Sequence, residues 1–379
     1  MQRLHSNEHG TGFDLAPTTV RCDADHYLSA ERAVAEHDAV FRTHPIICAH
    51  TSELPEIGDF VTAEHLGVPM LVVRQEDSSI KVFVNACRHR GAQITTAESG
   101  TGRAVFSCPF HAWSYSRNGA LRAISFKPGF DDLRADDLGL LELPSEVRHG
   151  LVWAMLHADT EIDVTAHLGA ELDAELTAYR LDEFVSERRA VLEAPANWKL
   201  VIDGFLEDYH LPYLHASTVG SFFASNLQLF DELGPHGRLV PARRTFSKLD
   251  DDARASADLL DHSIVLYLLF PSSILLWQAD HFDQWTITPH PTDRHRCQAT
   301  VRQLAHRDQV LDKKKVWDTN WEILMKTVPL EDWPTAAQIQ RSMRSGVVPY
   351  VTFGRNEPFL QHFHRGVSSL VDNAMTPTK

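Results

Sequence analysis

The residues best equipped for chemistry in this chain are two thiols and four imidazoles gathered in two short phrases. The first phrase is Cys87-Arg88-His89, followed after eighteen intervening residues by Cys108-Pro109-Phe110-His111. Each half is a tight loop able to present one thiolate and one imidazole to a metal centre. Zinc accepts a Cys2His2 set in tetrahedral geometry. A Rieske [2Fe–2S] cluster takes two Cys on one iron and two His on the other. Zinc sites commonly pair Cys with Cys and His with His. Here each loop supplies one of each, which suits two loops closing around a Rieske cluster. Gly91 and Pro109 permit sharp turns, and Phe110, Trp113 and Tyr115 could screen the centre from water. The plain alternative is two buried thiols among unrelated neighbours.

The second phrase is Glu207-Asp208-Tyr209-His210-Leu211-Pro212-Tyr213-Leu214-His215. Glu207 and His210, at i and i+3, share a face if the stretch is helical. His215 falls off that face unless Pro212 bends the helix. Two imidazoles and one carboxylate, with open positions beside them, make the facial triad of non-haem Fe(II) oxygenases. The carboxylate must come from elsewhere, and spacing does not locate it. Asp332, in the run VPLEDWPTAAQIQRSMRSG, could ligate or could only cap the helix that follows. Against iron stands an ordinary pair of core histidines. Against a role for Glu207 and Asp208 stands a solvated helix edge.

Stepping outward, periodicity names the elements that must hold these phrases. Residues 28–44 have helical spacing. From about 45 to 155, short β-branched and aromatic runs are punctuated by Gly, Asp, Ser and Asn, the pattern of a small antiparallel β-domain. Residues 163–181 read as a helix, and the stretch from Asn197 keeps helical spacing until Pro212. Strands fill 236–306. A long helical region follows, broken near Pro329 and Pro334. The second half is therefore a sheet wrapped with helices, class α+β. The expected division is a helical leader over 1–44 packing on the last domain, a β-domain over 45–157, and a domain over 158–379.

The words CRHRGA and CPFHAWSY resemble the Rieske domain of the aromatic-ring-hydroxylating oxygenase family, and NWKLVIDGFLEDYHLPYLH resembles that family's iron-binding helix. The likeness runs from about residue 45 to about 366. It implies an N-terminal all-β Rieske domain and a C-terminal helix-grip (START-like) catalytic domain with an antiparallel sheet and long helices. It implies Cys87, His89, Cys108 and His111 as ligands of a [2Fe–2S] cluster, and His210, His215 and Asp332 as ligands of a mononuclear Fe(II). Asp332 is assigned because the family's carboxylate ligand sits in a similar Glu-Asp phrase opening a helix. Glu207 takes the place of a carboxylate that bridges the two metal centres across a homotrimer, which would link His210 to the partner subunit's His111. Many members have Asp there; this chain has Glu, as do relatives acting on quaternary ammonium compounds such as carnitine. Asp208 is the rival for the bridge, at the wrong spacing.

The activity implied is that of an oxygenase terminal component. O2 is its co-substrate, and electrons come from NAD(P)H through a reductase, sometimes with a ferredoxin. A small aromatic or quaternary-amine substrate is monohydroxylated, cis-dihydroxylated or oxidatively dealkylated. The alternative is a Rieske electron carrier that uses only the first phrase. A chain of this length resembles the members that work without a β subunit. His362 and His364 echo another family phrase and are expected to be structural.

Composition narrows the partners. The 379 residues carry a formal net charge of -15, which disfavours nucleic acid and anionic membrane surfaces. Five scattered cysteines speak against a disulfide framework and for a reducing compartment. With no apolar leader in the first residues, a cytoplasmic location is expected. The most apolar stretch, Ile264 to Gln278, is interrupted and too short to span a bilayer. Arg88, Arg90, Arg103, Arg117 and Arg122 cluster around the first phrase; they could steer an acidic redox partner or be ordinary surface residues. Phe205, Phe222, Phe223, Leu227, Leu275, Trp277 and Trp285 are candidate pocket walls, for an aromatic ring or for a cage around a quaternary amine.

Overall fold

The computed structural model describes residues 1–10 and 14–376. Residues 11–13 of the expected leader and 377–379 of the last expected domain lie outside that range. The chain divides into two compact units, 41–186, and 1–40 together with 187–379.

The unit 41–186 is built on short antiparallel strands. A five-stranded sheet runs in the order Glu142–Leu143, Ile80–Val84, Val68–Arg74, Phe60–His65, Ser99–Gly100. Two three-stranded sheets accompany it, one of them Val105–Ser107, Ser114–Ser116 and Leu121–Ala123. Their inward residues Phe60, Leu71, Val73, Phe83 and Phe106 pack with Trp113, Tyr115, Cys87 and Cys108 in one core. The cysteines of the first phrase are therefore rooted in the packed centre of this unit.

The helix Val164–Tyr179 belongs here too, so the boundary expected at 157 falls inside the unit. Its apolar residues explain the difference: Val164 and Leu168 before a kink at Gly169, and Leu172 and Leu176 after it, are all buried. Each buried Leu contributes about 1.5–3 kcal/mol. Asp173 on the same helix also pairs with Arg148 and His149. Asp163 caps its start, accepting from Ala166 N.

The other unit is α+β, as expected. Its seven-stranded antiparallel sheet runs in the order Phe184–Ala194, Cys297–His306, His281–Pro289, Ser273–Trp277, Val265–Leu269, His236–Arg243, Phe223–Leu233. The central strands are continuous apolar runs and are buried along their length, as a strand covered on both faces requires. Register sets one row of side chains across the sheet: Leu239 opposes Leu266, Leu266 opposes Leu276, and Leu276 opposes Asp283.

The helices Val310–Thr327 and Trp333–Arg344 are separated by a wide π-turn, Val328–Asp332. Pro329 cannot donate to the carbonyl of Met325, nor Pro334 to that of Leu330, so the regular ladder fails between them. The leader contributes the helix Ala30–Glu36 and the strand Val20–Asp23, which pairs with Tyr350–Phe353. Glu36 accepts from Trp198 Nε1 at 3.0 Å and Lys199 Nζ at 2.5 Å. Among the described residues no helix is long and apolar enough to cross a membrane.

Candidate metal centres and substrate cavity

The two loops of the first phrase are built alike. Gly91 N donates to Cys87 O, and Ala112 N donates to Cys108 O. Each loop turns through a left-handed residue just after its histidine, Gly91 at φ 74° and Ala112 at φ 56°. This reversal lets both cysteines point inward, 4% and 3% exposed, while the histidines stay at the edge. The imidazoles of His89 and His111 lie 4.7 Å apart, centre to centre, and His89 stacks on Trp113. Tyr115 OH sits 3.2 Å from Cys87 Sγ and accepts from Arg88 N.

Both cysteines are free thiols, and both histidine Nδ1 atoms are buried with no protein partner. Two buried thiols facing two orphaned imidazole nitrogens suit the mixed ligation of a Rieske cluster. Arg88, Arg90, Arg103 and Arg122 are exposed, whereas Arg117 pairs with Glu76.

In the other unit the second phrase is not one helix. A helix spans only Trp198–Asp203; Leu211–Leu214 forms a second short one, with Pro212 in its first turn. Pro212 thus opens a helix rather than bending one, as its fixed φ favours. Glu207 and His210 meet through a turn, not across a helix face. Glu207 accepts from His210 N at 3.0 Å and holds His210 Nδ1 with its other oxygen. Gly220 closes the next turn where only glycine fits, because a Cβ there would lie 2.5 Å from Leu211 O.

His210, His215 and Asp332 converge, their ligand atoms all within 4.8 Å of one another. Asp332 Oδ1 lies 3.5 Å from His210 Nε2 and 3.0 Å from His215 Nε2. Bonds of about 2.1 Å to one ion put neighbouring ligand atoms roughly 3 Å apart, so the set fits a facial site. Asp332 makes no capping hydrogen bond to its helix, which removes the capping role.

Glu331, which the sequence reading passed over, accepts from His215 Nδ1 at 2.5 Å and from Thr218 Oγ1 at 2.8 Å. Each imidazole therefore gives its Nδ1 proton to a glutamate, leaving the Nε2 lone pair for a metal. Burial opposes protonation of both rings, but Glu207 and Asp332 raise His210, and Asp332 and Glu331 raise His215. Asp208, in contrast, is buried with no protein partner for either oxygen. Burial, then the charge of Glu207, pushes its carboxyl up to about 7.

The frame behind the triad is tied at Asn197. Asn197 Oδ1 accepts from Lys199 N, and its Nδ2 donates to the carbonyls of Tyr27 and Arg294. Asn197 N donates to Gln340 Oε1 at 2.8 Å, on the helix Trp333–Arg344 that follows Asp332. His364 binds Asp203 and Tyr27, and His362 binds His236 O, so both have structural partners.

His210, His215 and Asp332 stand on the wall of a cavity of about 360 Å³. Phe205, Phe222 and Phe223 line it as anticipated; Leu227, Leu275, Trp277 and Trp285 do not. Along the strand Ser273–Trp277 it is Leu276 that faces the cavity, so Leu275 and Trp277 point to the opposite face. Arg243, Gln278 and Asp283 join the lining and were not anticipated.

The family described as "Ring hydroxylating alpha subunit (catalytic domain)" matches residues 181–373, and "Rieske [2Fe-2S] domain" matches 44–133. Biphenyl 2,3-dioxygenase subunit alpha of Rhodococcus jostii is 32% identical over 51% of this chain and 42% of its own length. A carnitine monooxygenase oxygenase subunit of Acinetobacter pittii is 28% identical over 54% of this chain and 53% of its own. The match thus spans about half the length of these curated relatives. A quaternary ammonium Rieske monooxygenase in complex with L-carnitine superposes with a TM-score of 0.77 at 18% identity, over 95% of this chain and 96% of that one. Naphthalene 1,2-dioxygenase from Rhodococcus sp., bound to indole, gives 0.73 at 20% identity over 99% and 98%. At such identities the likeness is one of fold, but the family match covers more than half of the sequence, and the chain belongs to the ring-hydroxylating alpha-subunit family, with a Rieske domain ahead of its catalytic domain.

Proposed function

We propose that this protein is the terminal component of a Rieske non-haem iron oxygenase acting on a small organic substrate. One observation carries the reading: the convergence of His210, His215 and Asp332 on the wall of an apolar-lined cavity. A pure electron carrier would use only Cys87, His89, Cys108 and His111 and would leave that triad without work. When bound, the cluster supplies single electrons and the iron activates O2 for insertion into substrate.

The chain's own residues do the rest. Cys87, Cys108, His89 and His111 would hold the cluster. Glu207 and Glu331 fix the tautomer and aim of the two iron histidines. Phe205, Leu239 and Leu266 exclude water and seat the substrate's carbon skeleton beside the triad. We assign Glu207 a second task, bridging toward the cluster of a neighbouring subunit in a homotrimer; a strictly monomeric active protein would remove it. The partners in this reading are a reductase, with or without a ferredoxin, in the cytoplasm, and the substrate is a small aromatic or quaternary amine. Product analysis separates monohydroxylation, cis-dihydroxylation and oxidative dealkylation.

The test is iron, acid-labile sulfide and EPR on anaerobically purified protein, before and after dithionite. A Rieske signal on reduction, with iron in excess of the cluster's two, supports the reading. Cluster iron alone after Fe(II) reconstitution reduces the protein to a carrier, and zinc alone overturns the assignment.

A further inference from the structure

The cavity contains a charge that its apolar walls do not explain. Asp283 lies in the middle of the sheet, on the strand His281–Pro289, and belongs to the row Leu239, Leu266, Leu276, Asp283. Paired residues in a sheet share a face, and all four line the cavity. Asp283 therefore faces the cavity beside three leucines.

Gln278, also in the lining, favours its charged form slightly, while Oδ1 is buried with no protein partner. No lysine or arginine stands opposite among the described residues. The neighbour that favours its charged form most is His281, whose Nδ1 is paired with Asp280 and whose Nε2 is buried without a protein partner. Arg243, at another part of the lining, gives its Nε to Ser263 O and faces the charge of Asp280. Burial accordingly pushes the Asp283 carboxyl up to about 6. A buried carboxylate lacking a donor is costly, and a hydrocarbon substrate would leave it so.

We propose that Asp283 is the specificity-determining residue of the cavity, and that it takes a substrate with a cationic nitrogen bearing at least one N–H. A carboxylate set in an aliphatic wall pairs best with a cation that also donates a hydrogen bond, which a fully alkylated nitrogen cannot do. Cages for quaternary nitrogen are built from aromatic faces; Phe205, Phe222 and Phe223 line this cavity too, but the row that holds Asp283 is aliphatic. The substrate is thus a small primary, secondary or tertiary amine whose carbon skeleton lies along the leucine row. This inference narrows the oxygenase reading and rests on it for the word substrate.

The test reads binding rather than turnover, so it stands apart from the metal analysis. Calorimetry on the holoenzyme compares benzylamine with two close mimics, ethylbenzene and benzyltrimethylammonium. A charge-assisted hydrogen bond predicts that benzylamine binds roughly 10- to 100-fold more tightly than either. Asp283→Asn, which keeps the shape, should cost benzylamine at least about tenfold and leave ethylbenzene within about twofold. Equal binding of benzylamine and ethylbenzene overturns the proposal. So does equal binding of the quaternary probe, or an amine preference that survives Asp283→Asn, since the nitrogen would then be held elsewhere. The wild-type series needs no variant, so a folding defect in Asp283→Asn would not rescue the idea.

Discussion

Replacing Asp283 by Asn should stabilise the protein, and the gain should grow with pH. The side chain is 3% exposed, and burial raises its carboxyl from the ordinary 3.8 to about 6. The folded state therefore binds this proton more tightly than the unfolded chain does. For an acid shifted upward, stability is highest below the ordinary value and is lost as pH rises from about 4 to about 6. The full interval corresponds to roughly 3 kcal/mol, of which roughly half is lost by pH 5. Asn cannot ionise and escapes the penalty. The variant should lead the wild type by roughly 1.5 kcal/mol at pH 5 and roughly 3 kcal/mol at pH 7.5. In a unit of this size that is a rise in Tm of about 3–6 °C and about 6–12 °C respectively. Differential scanning calorimetry of both proteins at the two pH values makes the comparison. A variant less stable than wild type at pH 7.5, or a gain that ignores pH, would refute the reasoning. Retaining such a cost in a natural sequence makes sense where the group serves function rather than the fold.

Other expectations concern the metal centres and the docking of partners. His215→Ala should abolish retention of the mononuclear iron and leave the cluster's EPR signal intact, as iron-to-sulfide ratios will report. Glu331→Gln should keep both histidines but weaken iron binding about 10- to 100-fold, measured by chelator competition. Tyr115→Phe removes the hydroxyl beside Cys87 Sγ and Arg88 N; a redox titration should find the cluster potential lowered by roughly 40 mV per kcal/mol of lost differential hydrogen bonding. Arg88→Glu should slow reductase-coupled turnover at low salt, with the difference shrinking as salt rises; unchanged salt dependence would reject steering by this residue.

The metal phrases were legible because their information is local. A loop that gives Cys and His two or three residues apart leaves little choice of geometry, so Cys87, His89, Cys108 and His111 could be grouped from spacing alone. Asp332 could not, because it lies 117 positions after His215 and only the resemblance picked it out. The stretch after Asn197 misled for another reason. Its apolar residues keep helical spacing through a segment that is a turn closed by Glu207, and periodicity does not register a side chain that caps a turn. The cavity walls depended on which face each strand residue takes. With period two, an error of one position moves a whole strand's side chains to the other face, which is how Leu275 and Trp277 were chosen over Leu276. Asp283 gave no sign of itself: one acid in a strand reads as solvent-facing until strands on both sides are known. The helix Val164–Tyr179 was recognised, but the partner of its buried leucines lies in the sheet that precedes it, which composition does not reveal.

The Asn197–Gln340 bond gives the triad the properties of a braced frame. One arm carries His210 and His215 and the other carries Asp332; the arms meet at the proposed metal site, and this strut joins them at the far end. Because Asn197 Nδ2 also holds Tyr27 O, the leader is part of the brace. The bite of the three ligands is thus set partly by residues that touch neither metal nor substrate. Loosening the strut, or trimming the leader, would surface first as leaky iron and uncoupled electron use, in a protein whose melting behaviour still looked sound.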